Sequence, residues 1–147
     1  MHAESSATTS WDGTLARGSG QTTLASGAAG PLDVSWARRT ERGAETKTTS
    51  PEELIAAAHA SCYSMAFAHE LAEAGATPEQ LDVSATVTFE LVDGAPTVSR
   101  SALTVRGTVS GIDADGFAKL AAAAKEGCPV SRALKGNVEV TLDAALA

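Results

Sequence analysis

The most constraining feature of this sequence is a long, alanine-rich helix that begins at Pro51. Ser50 supplies an N-cap hydroxyl, Pro51 suits the first helical position, and Glu53 completes a capping box. The residues that follow are apolar on nearly every side to about Ala74, and Gly75 is the predicted end. A helix that is apolar all round is normally buried, so the rest of the chain is expected to pack around this central helix.

The chain before the central helix is predicted to hold three short extended segments. Two of them lie between residues 11 and 26, around the glycines of residues 18–20, and the third runs over residues 32–39. Residues 1–10 are rich in Ser, Thr and Ala without a period, which predicts a flexible leader. A length of 147 residues is that of one ordinary domain, so a single domain over residues 1–147 is expected.

After the central helix, the apolar period changes from that of a helix to that of a strand. Residues 81–91 alternate between apolar and polar, and residues 93–94 mark a turn into a second alternating strand, which together predict an antiparallel hairpin. A helix over residues 113–126, a helical turn after Cys128 and a last strand from Val138 complete the order βββ-α-ββ-αα-β. This order is typical of the α+β class.

The charge of the chain argues against several classes of partner. The net charge is −7, from 11 Lys and Arg against 18 Asp and Glu. An acidic surface repels phosphate backbones and anionic lipids, so we expect neither a nucleic-acid partner nor a membrane partner. We also expect no signal peptide, because the first 20 residues carry no basic start followed by an apolar stretch. We expect no membrane span either, because the longest apolar run, residues 54–68, is interrupted by His59 and followed by His69. The reducing cytoplasm is therefore the expected compartment.

The two cysteines are the residues that point most directly to chemistry. Cys62 and Cys128 are far apart in sequence and show neither a CxxC pattern nor the spacing of zinc ligands, so a zinc site is not expected. In the cytoplasm persistent disulfides are rare, so a disulfide between these cysteines would form during a reaction rather than serve to stabilise the fold. Cys128 lies between Gly127, which ends one helix, and Pro129, which starts the next. At such an N-cap, backbone N–H groups and the helix dipole favour a thiolate.

Cys62 lies in the middle of the central helix, where the helix dipole has little effect on a thiol. Apolar neighbours raise the pKa of a buried thiol, so a reactive Cys62 requires a cation from another segment. The candidates are Arg38, Arg39 and Arg42 and, on the same helix, His59. The alternative is that Cys62 is a small, buried side chain without chemistry.

Two motifs around the cysteines carry a resemblance to a known family. One is PEELIAAAHASCYSMA at residues 51–66, and the other is GCPVS at residues 127–131. Together with WDG at residues 11–13 and GID at residues 111–113, they resemble the OsmC/Ohr family of thiol-dependent hydroperoxide reductases, and its OsmC branch more closely. The resemblance implies antiparallel sheets packed around a long buried helix, in an intertwined homodimer with active sites near the subunit interface.

The resemblance also implies an arginine and a glutamate at the site. The arginine of the family follows an aromatic-x-x pattern, which Trp36 places at Arg39, and the glutamate directly follows the proline that starts the helix, which gives Glu52. Arg38 and Arg42 compete for the role of the arginine, because the loop after Arg39 looks longer than is usual in the family. Successive residues on an extended strand point to opposite faces, so only one of two neighbouring arginines is expected to reach the thiol.

What the resemblance implies as function is reduction of organic hydroperoxides, in defence against oxidative or osmotic stress. The Cys62 thiolate, stabilised by Arg39 with Glu52 as the partner of the arginine, would be oxidised to a sulfenic acid. Cys128 would then form a disulfide with Cys62, and a dithiol reductant would reduce that disulfide. A lipoyl-type dithiol is one candidate for the reductant. No metal, haem or flavin is needed. Hydrogen peroxide is expected to be a weaker substrate, because an apolar wall favours an alkyl tail. The residues expected to form that wall are Leu54, Ile55, Tyr63, Met65 and Phe67.

Two other functions are compatible with the same residues. A non-catalytic stress or ligand-binding protein could use the two cysteines as a redox-responsive staple. An acyl transferase could use Cys62 as nucleophile with His59 as its base. Side chains at i and i+3 of a helix project side by side, and no Asp or Asn that would orient the histidine is apparent, so a packed or hydrogen-bonded His59 is favoured.

Overall fold

The structure is a computed structural model that describes residues 2–41 and 47–147. Contacts within the chain define two compact units, Met1–Leu54 and Ile55–Ala147, each with its own three-stranded sheet. Arg42, one of the candidate arginines, lies outside the described residues. The single domain expected over the whole chain stays a prediction.

The sheet of the first unit is antiparallel, in the order β1-β2-β3. Its strands are β1 (Ala7–Asp12), β2 (Ser19–Leu24) and β3 (Leu32–Ser35). The predicted leader is therefore wrong for residues 7–10, which pair with β2. Every side chain of β1 is exposed, so this strand is held by backbone hydrogen bonds and has no apolar period that would have predicted it.

A short helix, α1 (Trp36–Thr40), follows β3 directly. The predicted strand over residues 32–39 is wrong beyond Ser35, whose hydroxyl accepts a hydrogen bond from the backbone N–H of Arg38 and caps the helix. Arg38 and Arg39 are thus consecutive residues of a helix. Their side chains leave the axis about 100° apart, not on the opposite faces of a strand.

The central helix is α2 (Pro51–Glu73), and both its predicted start and its predicted end are confirmed. The Ser50 hydroxyl accepts a hydrogen bond from the backbone N–H of Glu53, and Gly75 follows the helix with a φ of 76°. Within the single chain, burial is confined to one face of the helix, at a spacing of four residues. The large side chains on that face are His59, Tyr63, Phe67 and Leu71.

The sheet of the second unit contains the predicted hairpin, β4 (Thr77–Val92) and β5 (Ala95–Ser110), which pair antiparallel. Asp93 and Gly94 form the turn with φ values of 51° and 80°. The register shifts between Thr88 and Phe89, where Ser99 of β5 is the extra residue. Leu91, near the turn of the hairpin, is 70% exposed, although the alternation predicts it on the apolar face. The last strand, β6 (Glu139–Leu146), pairs with β5 in parallel, and β5 is therefore the central strand.

Two further helices complete the second unit, α3 (Ala114–Gly127) and α4 (Pro129–Leu134). The order of elements places the chain in the predicted α+β class, and among the elements of residues 2–41 and 47–147 only α1 was not predicted. None of the described helices has the length and apolar character needed to cross a membrane. The core of this unit combines residues of α2, β5 and α3 with one cysteine: Tyr63, Phe67, Leu71, Leu103, Val105, Val109, Phe117, Ala121, Ala124 and Cys128.

Candidate active site

The two cysteines meet in the second unit. Cys62 lies halfway along α2, Cys128 is the N-cap residue of α4, and their Sγ atoms are 3.4 Å apart with both thiols free. Cys128 is fully buried, whereas Cys62 is partly exposed. Since a disulfide has an S–S distance of about 2.0 Å, an approach of roughly 1.4 Å would join the two sulfurs. The fold thus brings together two residues that are far apart in sequence.

The surroundings of Cys62 oppose formation of its thiolate. Burial raises the pKa of the Cys62 thiol, and the neighbouring Cys128 raises it further. A hydrogen bond from the backbone N–H of Val130 acts in the opposite direction and lowers it. Cys128 itself makes no side-chain capping bond to α4. The predicted N-cap position of Cys128 is confirmed, and the N–H of Val130, the second residue of α4, is directed to the sulfur of Cys62. The effect expected of this helix start on Cys128 stays a prediction.

The arginine and the glutamate form a close ion pair in the first unit. Arg39 Nη2 lies 2.7 Å from Glu52 Oε1, and Arg39 Nε donates to both carboxylate oxygens at 3.1 and 3.2 Å. Glu52 is only 6% exposed, and a carboxylate this buried needs a paired cation. The guanidinium also lies over the ring of Trp36, 5.4 Å from the ring centroid. Partners on two sides hold the guanidinium in one position.

Arg38 has different partners. Its Nε donates to the carbonyl oxygen of Thr48 at 3.0 Å, and its Nη2 is 3.8 Å from a carboxylate oxygen of Glu53. Glu53 in turn accepts a hydrogen bond from Thr49 at 2.8 Å. The two neighbouring arginines are thus directed to the two neighbouring glutamates at the start of α2, and Arg39 takes the buried one.

A cavity of about 360 Å³ lies beside Arg39 in the first unit, and its lining is mostly apolar. It is lined in part by Trp11, Leu15, Trp36 and Leu54, so both tryptophans of the chain contribute to it. The scarcity of aromatic residues, 4% of the sequence, is the signal that could have pointed to these two rings. No such signal identifies Leu15.

The apolar wall predicted from the sequence is only partly present. Leu54 does line the cavity. Tyr63 and Phe67 are fully buried in the core of the second unit, and Met65 is 67% exposed, so the prediction is wrong for these three residues. The helical period places Tyr63 and Phe67 on the inner face of α2, where they fill the core. Met65 does not line the cavity and lies on the outer face of the helix.

His59 is buried, and both of its ring nitrogens have hydroxyl partners. Nδ1 is 2.7 Å from Ser101 Oγ, and Nε2 is 2.8 Å from Ser131 Oγ. Burial lowers the pKa of His59, which favours the neutral ring. The favoured interpretation of a packed, hydrogen-bonded histidine is confirmed. With both nitrogens occupied, the ring is not poised to act as a base towards Cys62, as the acyl transferase would need.

The structure therefore holds the four predicted site residues as two pairs, one in each unit: Cys62 with Cys128, and Arg39 with Glu52. Among the described residues, no group of three or more His, Cys, Asp or Glu side chains is arranged to hold a metal ion. The action of Arg39 on the Cys62 thiolate stays a prediction.

Comparisons of the sequence with a family model and with known proteins point to the same family. The family model for OsmC-like proteins matches residues 43–143. Peroxiredoxin OsmC of Escherichia coli strain K12 is 42% identical over 133 residues, which cover 90% of each chain. An organic hydroperoxide resistance protein-like protein of Staphylococcus aureus strain USA300 is 33% identical over 103 residues, 68% of this chain and 71% of that one.

Solved structures agree with the sequence comparison. The crystal structure of the organic hydroperoxide resistance protein OhrB of Bacillus subtilis superposes with a TM-score of 0.72 at 27% identity, and covers 95% of this chain and 97% of that one. The similarity therefore includes both units and both cysteine-bearing helices. From the matches in sequence and in fold, the chain belongs to the OsmC/Ohr family.

Proposed function

We propose that this protein reduces organic hydroperoxides to alcohols through a cycle of thiol, sulfenic acid and disulfide at Cys62 and Cys128. Its family makes it a peroxidase-type oxidoreductase, and the names of its relatives, peroxiredoxin OsmC and organic hydroperoxide resistance protein, support the substrate class. The observation that carries the proposed cycle is the distance of 3.4 Å between the two sulfurs.

The cycle transfers two electrons from the thiols to the peroxide. In the first step the Cys62 thiolate attacks the distal oxygen of ROOH, the O–O bond breaks, and the alkoxide leaves and is protonated to ROH. In the second step the Cys128 sulfur attacks the Cys62 sulfenic acid, an S–S bond forms, and the hydroxyl leaves as water with the thiol proton. A dithiol reductant then exchanges with the disulfide, restores both thiols and is itself oxidised.

Arg39 is proposed as the cation that holds Cys62 as a thiolate, with Glu52 as the residue that positions it. The raised pKa of Cys62 is the first support, because a thiol in this state needs a cation to react at neutral pH. The ion pair is the second support, because a guanidinium fixed by a buried carboxylate and an aromatic ring loses little entropy when it binds an anion. The homodimer implied by the family resemblance is the proposed setting in which the two pairs form one site.

The cavity beside Arg39 supports a preference for organic over hydrogen peroxide. Its apolar lining by Trp11, Leu15 and Leu54 suits an alkyl tail, and each buried CH₂ group contributes about 0.8 kcal/mol to binding. Hydrogen peroxide has no tail and gains nothing from this lining. We therefore propose that it is reduced more weakly.

The experiment that tests the function is peroxide consumption with a dithiol reductant, measured for the wild type and two variants with tert-butyl hydroperoxide and with H₂O₂. Cys62→Ser is expected to abolish turnover. Cys128→Ser is expected to allow one stoichiometric round, after which mass spectrometry shows oxidised Cys62. A non-catalytic staple would form the disulfide without turnover, and full turnover by Cys62→Ser would overturn the assignment.

A further inference from the structure

Two side-chain contacts join α2 to α4 and its N-cap residue Cys128. The first is the approach of the Cys62 and Cys128 sulfurs to 3.4 Å. The second is the hydrogen bond of 2.8 Å between His59 Nε2 and Ser131 Oγ. His59 lies three residues before Cys62 on α2, and Ser131 lies three residues after Cys128. Residues three apart are neighbours on a helix surface, so each contact lies about one turn from the other.

The second contact is anchored in the sheet. Nδ1 of His59 is 2.7 Å from the hydroxyl oxygen of Ser101, which lies on the central strand β5. His59 and Ser101 are fully buried, and Ser131 is 7% exposed, so water competes little for these bonds. The three side chains form a continuous chain of hydrogen bonds from β5 through α2 to α4.

Helix α4 depends on such a contact for its position. It has only six residues, Pro129–Leu134, and its N-cap residue Cys128 makes no side-chain capping bond. Helices much shorter than about 12 residues are marginal by themselves, so tertiary contacts must hold α4 in place. The contact through His59 is a buried side-chain hydrogen bond beside the cysteine pair, and the backbone N–H of Val130 gives α4 a second polar contact, to the sulfur of Cys62.

We propose that His59 is a positioning residue for the resolving step, an inference that rests on the proposed function. The hydrogen-bonded chain of Ser101, His59 and Ser131 holds α4 so that the Cys128 sulfur reaches the Cys62 sulfenic acid before a second peroxide does. His59 touches neither the peroxide nor a reacting sulfur.

Two reactions compete for the sulfenic acid of Cys62. In resolution, the Cys128 sulfur forms the S–S bond and water leaves. In over-oxidation, a second ROOH transfers its distal oxygen to the sulfur, the O–O bond breaks, ROH leaves, and Cys62 becomes a sulfinic acid. The ratio of disulfide to sulfinic acid therefore measures how well Cys128 is placed, and it does not depend on how fast the sulfenic acid forms.

The test treats the reduced full-length protein with excess tert-butyl hydroperoxide, without reductant, and determines both products by mass spectrometry. Ser131→Ala removes the bond between His59 and α4 and is expected to lower the ratio of disulfide to sulfinic acid roughly tenfold, which is the order of effect of one buried hydrogen bond. Ser131→Thr keeps the hydroxyl and is expected to restore the ratio. A cavity of about 160 Å³ borders Ser131 and leaves room for the added methyl group.

The matched control is Tyr63→Phe, which removes a fully buried hydroxyl of the same helix α2 whose hydrogen bond goes to the carbonyl oxygen of Ala121 on α3 at 3.0 Å, and which leaves the chain from Ser101 to Ser131 in place. It is expected to stay close to the wild-type ratio. Equal losses in Tyr63→Phe and Ser131→Ala would indicate general loosening and would overturn the inference, as would an unchanged ratio in Ser131→Ala. If the wild type forms neither product, the proposed function itself fails.

Discussion

Arg39 donates hydrogen bonds to both carboxylate oxygens of Glu52, and its Nη2 atom lies 2.7 Å from Oε1. The neighbouring Arg38 instead faces Glu53 at 3.8 Å and the carbonyl oxygen of Thr48 at 3.0 Å. Two arginines that are adjacent in sequence thus belong to different polar clusters. Each can be removed without breaking the ion pair of the other, which makes the assignment of the thiolate partner testable.

Arg39→Ala is expected to raise the pKa of Cys62, because it removes the cation proposed to stabilise the thiolate. Peroxide consumption near neutral pH should fall roughly tenfold or more, in proportion to the thiolate fraction. The rate of alkylation of Cys62 as a function of pH, measured in the Cys128→Ser background, reports its pKa directly. Arg38→Ala is the matched control and should behave as the parent. The reverse outcome would assign the role to Arg38.

Glu52→Gln is expected to destabilise the protein by about 1.5–3 kcal/mol, because it removes charge-assisted hydrogen bonds from a guanidinium whose side chain is only 25% exposed. Denaturant unfolding measures the loss as a lower midpoint. The adjacent Glu53→Gln is the control, since its pair with Arg38 is more exposed and such surface pairs contribute about 0–1 kcal/mol. Equal losses in the two variants would mean that burial of the Arg39 pair does not matter to stability.

Leu54→Ala is expected to weaken the use of alkyl hydroperoxides and to leave the use of H₂O₂ unchanged, because Leu54 lines the apolar cavity beside Arg39. A loss of about 1 kcal/mol of apolar contact raises the KM for tert-butyl hydroperoxide roughly fivefold. Steady-state kinetics with both peroxides give the comparison. Leu91→Ala, at a position 70% exposed on β4, should change neither value. A parallel change with both peroxides would show that the cavity does not select the alkyl tail.

Stability is expected to fall as pH is lowered, and His59 is expected to cause part of the fall. Burial lowers the pKa of His59 in the folded protein, whereas in the unfolded chain it stays near 6.5. At a pH between these two pKa values, His59 binds a proton in the unfolded chain but not in the folded protein. The contribution is therefore present above about pH 6.5 and is lost as pH falls towards the folded pKa.

Unfolding free energies measured from about pH 8 to about pH 5 test this prediction. His59→Gln lacks the titrating group, so its stability should depend less on pH than that of the wild type, whatever its absolute value. His69→Gln changes an exposed residue of the same helix and should follow the wild type. Parallel curves for the wild type and His59→Gln would rule out the histidine as a source of the pH dependence.

The sequence by itself determined the elements that depend on near neighbours. Ser50 and Gly75 bound the central helix as predicted, because a capping hydroxyl and a glycine with positive φ act on the backbone within a few residues. The hairpin turn at residues 93–94 follows from the same local chemistry. The motifs around Cys62 and Cys128 indicated the family, which the comparisons confirm.

Only the tertiary structure decided which side chains meet. The contact of Cys62 with Cys128, the direction of the Val130 N–H to Cys62 and the parallel pairing of β6 with β5 all join segments that are distant in sequence. Apolar periods state which face of an element is buried, but not which element covers it. The helical turn at Arg39 was missed for a related reason: it is defined by a cap and an ion pair, and a segment of five residues is too short to show a helical period.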